Sequence, residues 1–169
     1  MQLRVMESHE VDEVDALIRT AFLTALVTDG SEQDLVKRLR SSAGYLPEQE
    51  PVALDDDRIV GHILTTRIVI DGEAGPVDAL EVAPLCVALD HRCRGIGALL
   101  MEEALKRGRA AGFPAVFLVG DSRYYARFGF RPVAEFGIRN SGSIPDDVVL
   151  GVELEPGALD GIDGSVTLV

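Results

Sequence analysis

Arg92-Cys93-Arg94-Gly95-Ile96-Gly97-Ala98 combines cationic side chains, glycines and the expected start of a helix. The first N–H groups of a helix have no partner within it, and its dipole places about half a positive charge at that end. Gly95 and Gly97 lack the Cβ that would hold an oxyanion away from those amides, and Arg92 and Arg94 add full charges. The chemistry this permits is binding of a phosphate or pyrophosphate. A nucleoside-triphosphate loop needs Gly-Lys-Ser/Thr after its glycines, which this stretch lacks. A dinucleotide fingerprint needs a third Gly or Ala where Leu100 stands, and a first Gly close behind the strand, whereas Asp90 to Arg94 intervene. The pattern Arg/Gln-x-x-Gly-x-Gly/Ala is matched in full by Arg92, Gly95 and Gly97.

Other residues near this loop in sequence could also do chemistry. Glu81 is a charged residue in an otherwise apolar stretch, where burial would raise its pKa toward that of a usable base. Pro84 cannot donate to a sheet ladder, so strand pairing should be interrupted where it sits. Tyr124 and Tyr125 each offer a phenol able to protonate a leaving group, but helix neighbours point about 100° apart, so only one can aim at a given atom. Cys86 and Cys93 have no His/Cys cluster around them, which reads as two reduced thiols in a cytoplasmic protein, not a zinc site or a disulfide. Cys86 lies in a strand, where core packing is its expected role. His62 reads as a strand residue with a local partner, and His91 as a surface or phosphate contact.

The Arg92–Gly97 pattern resembles the pyrophosphate loop of the GNAT superfamily of acyl-CoA-dependent N-acyltransferases. Tyr124-Tyr125-Ala126-Arg127-Phe128-Gly129-Phe130 resembles the superfamily's second landmark, Ile59 to Leu64 looks like its hairpin, and Val119 to Tyr125 is similar to a bacterial branch of predicted acetyltransferases. The resemblance implies an α/β fold (α+β by some schemes): a mixed, mostly antiparallel central sheet, helices on both faces, and splayed central strands that bind acyl-CoA. It implies acetyl-CoA as co-substrate, with no metal, held by Cys86, Val87, Arg92, Cys93, Arg94, Gly95, Ile96, Gly97, Ala98 and Tyr125. The catalytic set it implies is Val87, whose N–H would face the thioester carbonyl, Tyr125 as general acid, and Glu81 as general base. Glu81 precedes Arg92 by the spacing of the base in the histone-acetyltransferase branch, although a water chain is the alternative. The implied reaction is direct transfer of acetyl to a primary amine in a ternary complex. The acceptor is a small-molecule or peptide amine left unnamed, and a homodimer is the assembly family members often adopt. A non-catalytic acyl-CoA-binding or sensing module is the rival from another class, and a dinucleotide-binding oxidoreductase is the second.

The elements that must position these groups follow from periodicity. Leu3 to Met6 reads as a first strand. A helix opens at Ser8 or His9 and buries Val11, Val14, Ile18, Ala21, Phe22 and Ala25, and Thr28-Asp29-Gly30 breaks it. Ser31 to Asp34 looks like a capping box opening a second helix to about Arg40. Pro51 to Leu54 and Ile59 to Ile70 form a hairpin, Asp71 to Pro76 a turn, and Ala79 to Leu89 a third strand. Residues 95–111 form a helix capped at Gly112, the fully apolar Ala115 to Val119 a strand buried on both faces, and Ser122 to Phe128 a short helix. Val148 to Leu154 and, more weakly, Ser165 to Val169 are the last strands.

At 169 residues the expectation is a single domain, 1–169, with a real core. The net charge of −12 disfavours nucleic acid, and no apolar run approaches the ~18 residues of a membrane helix.

Overall fold

The computed structural model describes residues 1–24 and 31–169, which form two compact units. The first comprises Met1–Thr66 and Ala83–Ala104, the second Arg67–Val82 and Leu105–Val169. Ala25 and Thr28-Asp29-Gly30, called above as helix face and helix break, lie outside the described residues.

In the first unit, β1 (Gln2–Val5) pairs antiparallel with β2 (Pro51–Asp55), and β2 pairs antiparallel with the opening half of β3 (Arg58–Gly72). Helix α1 (Val11–Phe22) buries Val14, Leu17, Ile18 and Ala21, the expected three-four face, with Val11 and Phe22 at its half-buried margin. Its entry is fixed by a reciprocal capping box between Glu7 and Glu10, with Arg4 donating to Glu10 at 2.8 Å. The box expected at Ser31 is not formed: Ser31 occupies the N-cap of α2 (Glu32–Arg40), but its hydroxyl makes no capping bond. The start of helix α3 (Ile96–Ala110) rests on β3 through Gly61, where a Cβ would come within 2.8 Å of Leu100 and 3.0 Å of Ile96.

In the second unit, the far half of β3 turns into β4 (Gly75–Val87) through Glu73 and Ala74 alone, a tighter hairpin than the expected Asp71-to-Pro76 turn. Strand β4 pairs parallel with β5 (Ala115–Val119) at Leu80↔Val116, Glu81↔Phe117 and Val82↔Leu118, and β5 pairs antiparallel with β8 (Val149–Glu153) along its full length. Helix α4 (Ser122–Tyr125) follows β5, and its continuation Ala126–Phe128 tightens to a 3₁₀ turn ended by Gly129 at φ 90°. Two short strands escaped the sequence reading: β6 (Arg131–Pro132), on β8, and β7 (Ile138–Asn140), parallel to β9 (Gly164–Val166). Strand β9 also pairs with β3 at Asp71↔Ser165, and it ends three residues short of the expected Val169. The fold is the expected mixed α/β arrangement with a mostly antiparallel sheet; β4–β5 and β7–β9 are its parallel pairs. Among the described residues no helix is long and apolar enough to cross a membrane.

Candidate active site

The loop from Arg92 to Ala98 lies in the first unit. After β4 the chain makes a 3₁₀ turn, Leu89–His91, anchored by Ala88 N donating to Val60 O at 2.8 Å. Cys93 (φ 61°) and Gly95 (φ 81°) then take left-handed backbone conformations, and α3 begins. Leu99 N donates to Gly95 O at 3.1 Å as the helix's opening hydrogen bond, so the amides of Ile96, Gly97 and Ala98 have no intrahelical acceptor. Ile96 is 2 % exposed, and its side chain packs on Gly61. Its side chain is therefore committed to packing, which leaves its amide as the group it can offer. Cys93 and Arg94 are exposed, and Gly97 and Ala98 half-buried.

Arg92 is placed differently from the simplest sequence expectation. Its terminal nitrogens donate to Ala21 O at 2.6 Å and Thr24 Oγ1 at 2.9 Å. A cation on the Ala21 carbonyl complements the C-terminal end of α1. The guanidinium thus braces the loop against α1, although Arg92, like Arg94, is exposed. His91 is likewise engaged, with Nδ1 2.9 Å from Asp90 and Nε2 3.2 Å from Asp55. Its partners are carboxylates of the protein.

Pairing of β4 with β5 stops at Val82↔Leu118, just before Pro84, while β4 runs on to Val87. The Ala88 amide points at β3, so the adjacent Val87 amide points to the opposite edge of the strand. Val87 is half-buried and Cys86 buried. Burial pushes the Cys86 thiol up to about 12, outweighing the His62 backbone and the charge of Arg92. At neutral pH Cys86 is a packed thiol, not a nucleophile.

Glu81 and Tyr125 belong to the second unit. Glu81 is 2 % exposed. Burial raises its pKa to about 7, against the opposing effect of a 2.8 Å hydrogen bond from the Val169 amide. Tyr125 stacks edge-on against Tyr124 and Phe130, with ring centroids 4.9 and 5.9 Å away. Burial and then the neighbouring Tyr124 push its phenol up to about 12, so it holds its proton through the neutral range. Gly120, at the end of β5, is what admits this ring: a Cβ there would overlap Tyr125.

The sequence reading missed a buried polar cluster in the first unit. Glu50, fully buried, accepts from Arg40 at 2.6 and 2.9 Å and from Tyr45 at 2.7 Å, and its Oε1 lies 2.8 Å from His62 Nε2. Arg40 also donates to Asp15 at 2.7 Å. Burial alone would raise the Glu50 pKa, but His62, Arg40 and Tyr45 together hold the carboxyl at about 2. Burial keeps His62 below its ordinary pKa. His62, read as a strand residue with a local partner, and Glu50, immediately before a proline-initiated apolar strand, were the visible signals, but the pairing of the cluster could not be read from them. Among the described residues no cluster of three or more His, Cys, Asp or Glu side chains could hold a metal ion.

The family model for GNAT acetyltransferases matches residues 14–130. The chain is 32 % identical over 126 residues to the uncharacterized N-acetyltransferase YjhQ of Escherichia coli K12, covering 75 % of this chain and 70 % of that one. It is 28 % identical over 166 residues to the uncharacterized N-acetyltransferase YhbS of the same organism, covering 98 % and 95 %. The crystal structure of E. coli YhbS in complex with CoA superposes with a TM-score of 0.85 at 27 % identity, over 99 % of this chain and 89 % of that one. A GNAT-family acetyltransferase from Brucella melitensis, in complex with acetyl-CoA, shares the fold at TM-score 0.74 and 24 % identity, over 92 % and 88 %. With the family model matched over most of the chain and relatives similar along it, the chain belongs to the GNAT acetyltransferase family.

Proposed function

We propose that residues 1–169 act as one domain that transfers acetyl from acetyl-CoA to a primary amine of a small molecule or peptide, by direct attack in a ternary complex. The observation that carries this reading is the row of amides at Ile96, Gly97 and Ala98 with no acceptor among the described residues, behind a strand whose pairing with β5 ends at Val82. The amides, with Arg94, suit the CoA pyrophosphate, and Arg92 contributes by holding the loop on α1. The CoA complex of YhbS, similar over nearly the whole chain, supports the same donor. The backbone beyond Val82, where pairing with β5 has ended, includes Cys86 and Val87 and suits the pantetheine arm, with the Val87 amide turned toward the thioester oxygen.

In the proposed step Glu81 takes a proton from the acceptor ammonium and frees its lone pair. The amine nitrogen attacks the thioester carbon, and the carbonyl becomes an oxyanion at the Val87 amide. The C–S bond then breaks, the Tyr125 phenol protonates the departing sulfur, and the proton left on the amide nitrogen is returned to the phenolate. One oxyanion donor of this kind is worth about 3 kcal/mol. A carboxyl with a pKa near 7 is divided between base and acid in the neutral range, as general-base catalysis favours. The free thiols of Cys86 and Cys93 support a reducing, cytoplasmic setting.

Calorimetric titration tests the donor. Acetyl-CoA and CoA are expected to bind, and NADH to give no heat of binding. Binding of NADH without binding of CoA would overturn the reading.

A further inference from the structure

Glu81 has an uncommon environment for a carboxylate meant to ionise. Side chains alternate along a strand, so Glu81 shares its face of β4 with Ala79. Ala79 belongs to an apolar cluster with Phe117, Val166 and Leu168, and Phe117 is the register partner of Glu81 on β5. No Lys, Arg or His side chain among the described residues contributes to its titration; burial and one backbone amide are the influences on it. That amide is Val169 N, 2.8 Å from Glu81 Oε1 and 88 residues away in sequence.

The segment carrying the amide is well held. Val166 and Leu168 are 1 % and 5 % exposed and sit in the same apolar cluster as Ala79. Ser141 N and Ser141 Oγ both donate to Val166 O, at 2.9 and 3.0 Å, and Ser141 Oγ lies 2.8 Å from Thr167 Oγ1. Alternation turns the Thr167 and Val169 side chains outward. The Val169 side chain is 56 % exposed, so its amide, not its isopropyl group, is what the site uses.

We propose that the Val166–Val169 segment is a positioning element of the acetyl-transfer reaction, its Val169 amide fixing the orientation of the Glu81 carboxyl and supporting its ionised form. The proposal rests on Glu81 as the general base. A carboxyl held on one oxygen by a backbone N–H keeps its second oxygen for the acceptor ammonium. The amide also opposes the apolar surroundings: a hydrogen bond to an ionised group favours that form, so without it Glu81 would hold its proton to higher pH. Burial thus raises the pKa of the base, and the amide of a residue whose side chain takes no part opposes that rise.

The test uses NMR on the full chain with carboxyl-labelled glutamate, the Glu81 signal being assigned by its loss in Glu81→Gln. In the wild type the Val169 amide shift should follow the Glu81 titration with the same midpoint, and in Glu81→Gln it should be flat. Val169→Pro removes the N–H and leaves an exposed side chain; Val169→Ala keeps the N–H. The Glu81 midpoint should rise by about one pH unit in Val169→Pro, as expected for loss of one charge-assisted hydrogen bond. It should stay in place in Val169→Ala. A Val169 amide shift that ignores Glu81 in the wild type, or an unmoved midpoint in folded Val169→Pro, overturns the proposal. The wild-type measurement decides the question even if Val169→Pro does not fold. Failure of the base assignment has a different signature: Glu81→Gln would then transfer acetyl at the wild-type rate with an unchanged pH profile, whatever the NMR titration shows.

Discussion

Tyr125→Phe is expected to lower kcat by about 10²–10⁴-fold, the usual worth of a positioned general acid, while acetyl-CoA affinity stays at the wild-type level. The substitution deletes one oxygen and keeps the ring that packs on Tyr124 and Phe130. Stability should therefore change little, and the loss should fall on kcat. The sign of the pKa shift fits the role. With its pKa raised to about 12, the phenol carries its proton throughout the neutral range and so has one to give as the C–S bond breaks. No loss of activity from Tyr125 ionisation should therefore be seen in the neutral range. Gly120→Ala should reproduce part of the defect without touching the hydroxyl, because its Cβ would displace the Tyr125 ring. Displacement of a catalytic group by about 1 Å can cost about 100-fold. Because both changes act through one phenol, the double variant should lose less than the product of the two. Steady-state kinetics with acetyl-CoA decide this; wild-type turnover in Tyr125→Phe would remove the phenol from the mechanism.

Glu50→Ala is expected to cost about 3–5 kcal/mol of stability, the range for breaking one side of a buried ion pair. For a chain of this size that is a fall in melting temperature of about 10 °C. Removing Glu50 leaves the Arg40 guanidinium with Asp15 as its remaining carboxylate, and takes the partner from both Tyr45 Oη and His62 Nε2. His62 Nδ1 has no hydrogen bond among the described residues, so the ring would then be buried with neither nitrogen paired to them. The same cluster gives stability a pH dependence. The His62 pKa is lowered in the folded protein, so the unfolded chain binds protons first, and stability begins to fall as pH drops below about 6.5. Glu50 is also lowered, to about 2, and its contribution is lost as pH falls from the ordinary glutamate value near 4.5 toward 2. Both act in the same direction, and the lower limb should be missing in Glu50→Ala. Thermal unfolding across that range measures both; a loss below about 1 kcal/mol would contradict the cluster's structural role.

What the sequence made legible was whatever acts locally. The α1 face, the apolar run of β5, the glycine-bearing start of α3 and the Gly129 stop each depend on residues within a few positions of one another. Pro84 could be read as an interruption because a missing N–H is a property of the residue alone, and β4–β5 pairing does end beside it. β6 was hidden because it is two residues long and one is proline, and β7 because three residues show no alternation. The missed polar contacts are those of long range. Arg40 meets Asp15 across 25 residues, Arg92 meets Ala21 across 71, and Val169 meets Glu81 across 88. A burial pattern identifies an isolated charge such as Glu81 but not its partner, and it shows neither which way an arginine in a loop turns nor which glycine makes room for a ring.

The central claim is that the anion loop presents acetyl-CoA for transfer to an amine. It is tested most directly by following release of CoA thiol while purified protein and acetyl-CoA are supplied with a panel of small-molecule and peptide primary amines, with mass spectrometry of the products. The expected result is thiol release that depends on one class of amine and is matched mole for mole by the N-acetylated product. Tight binding of acetyl-CoA with no N-acetylated product from any amine would contradict it and leave an acyl-CoA-binding module in its place.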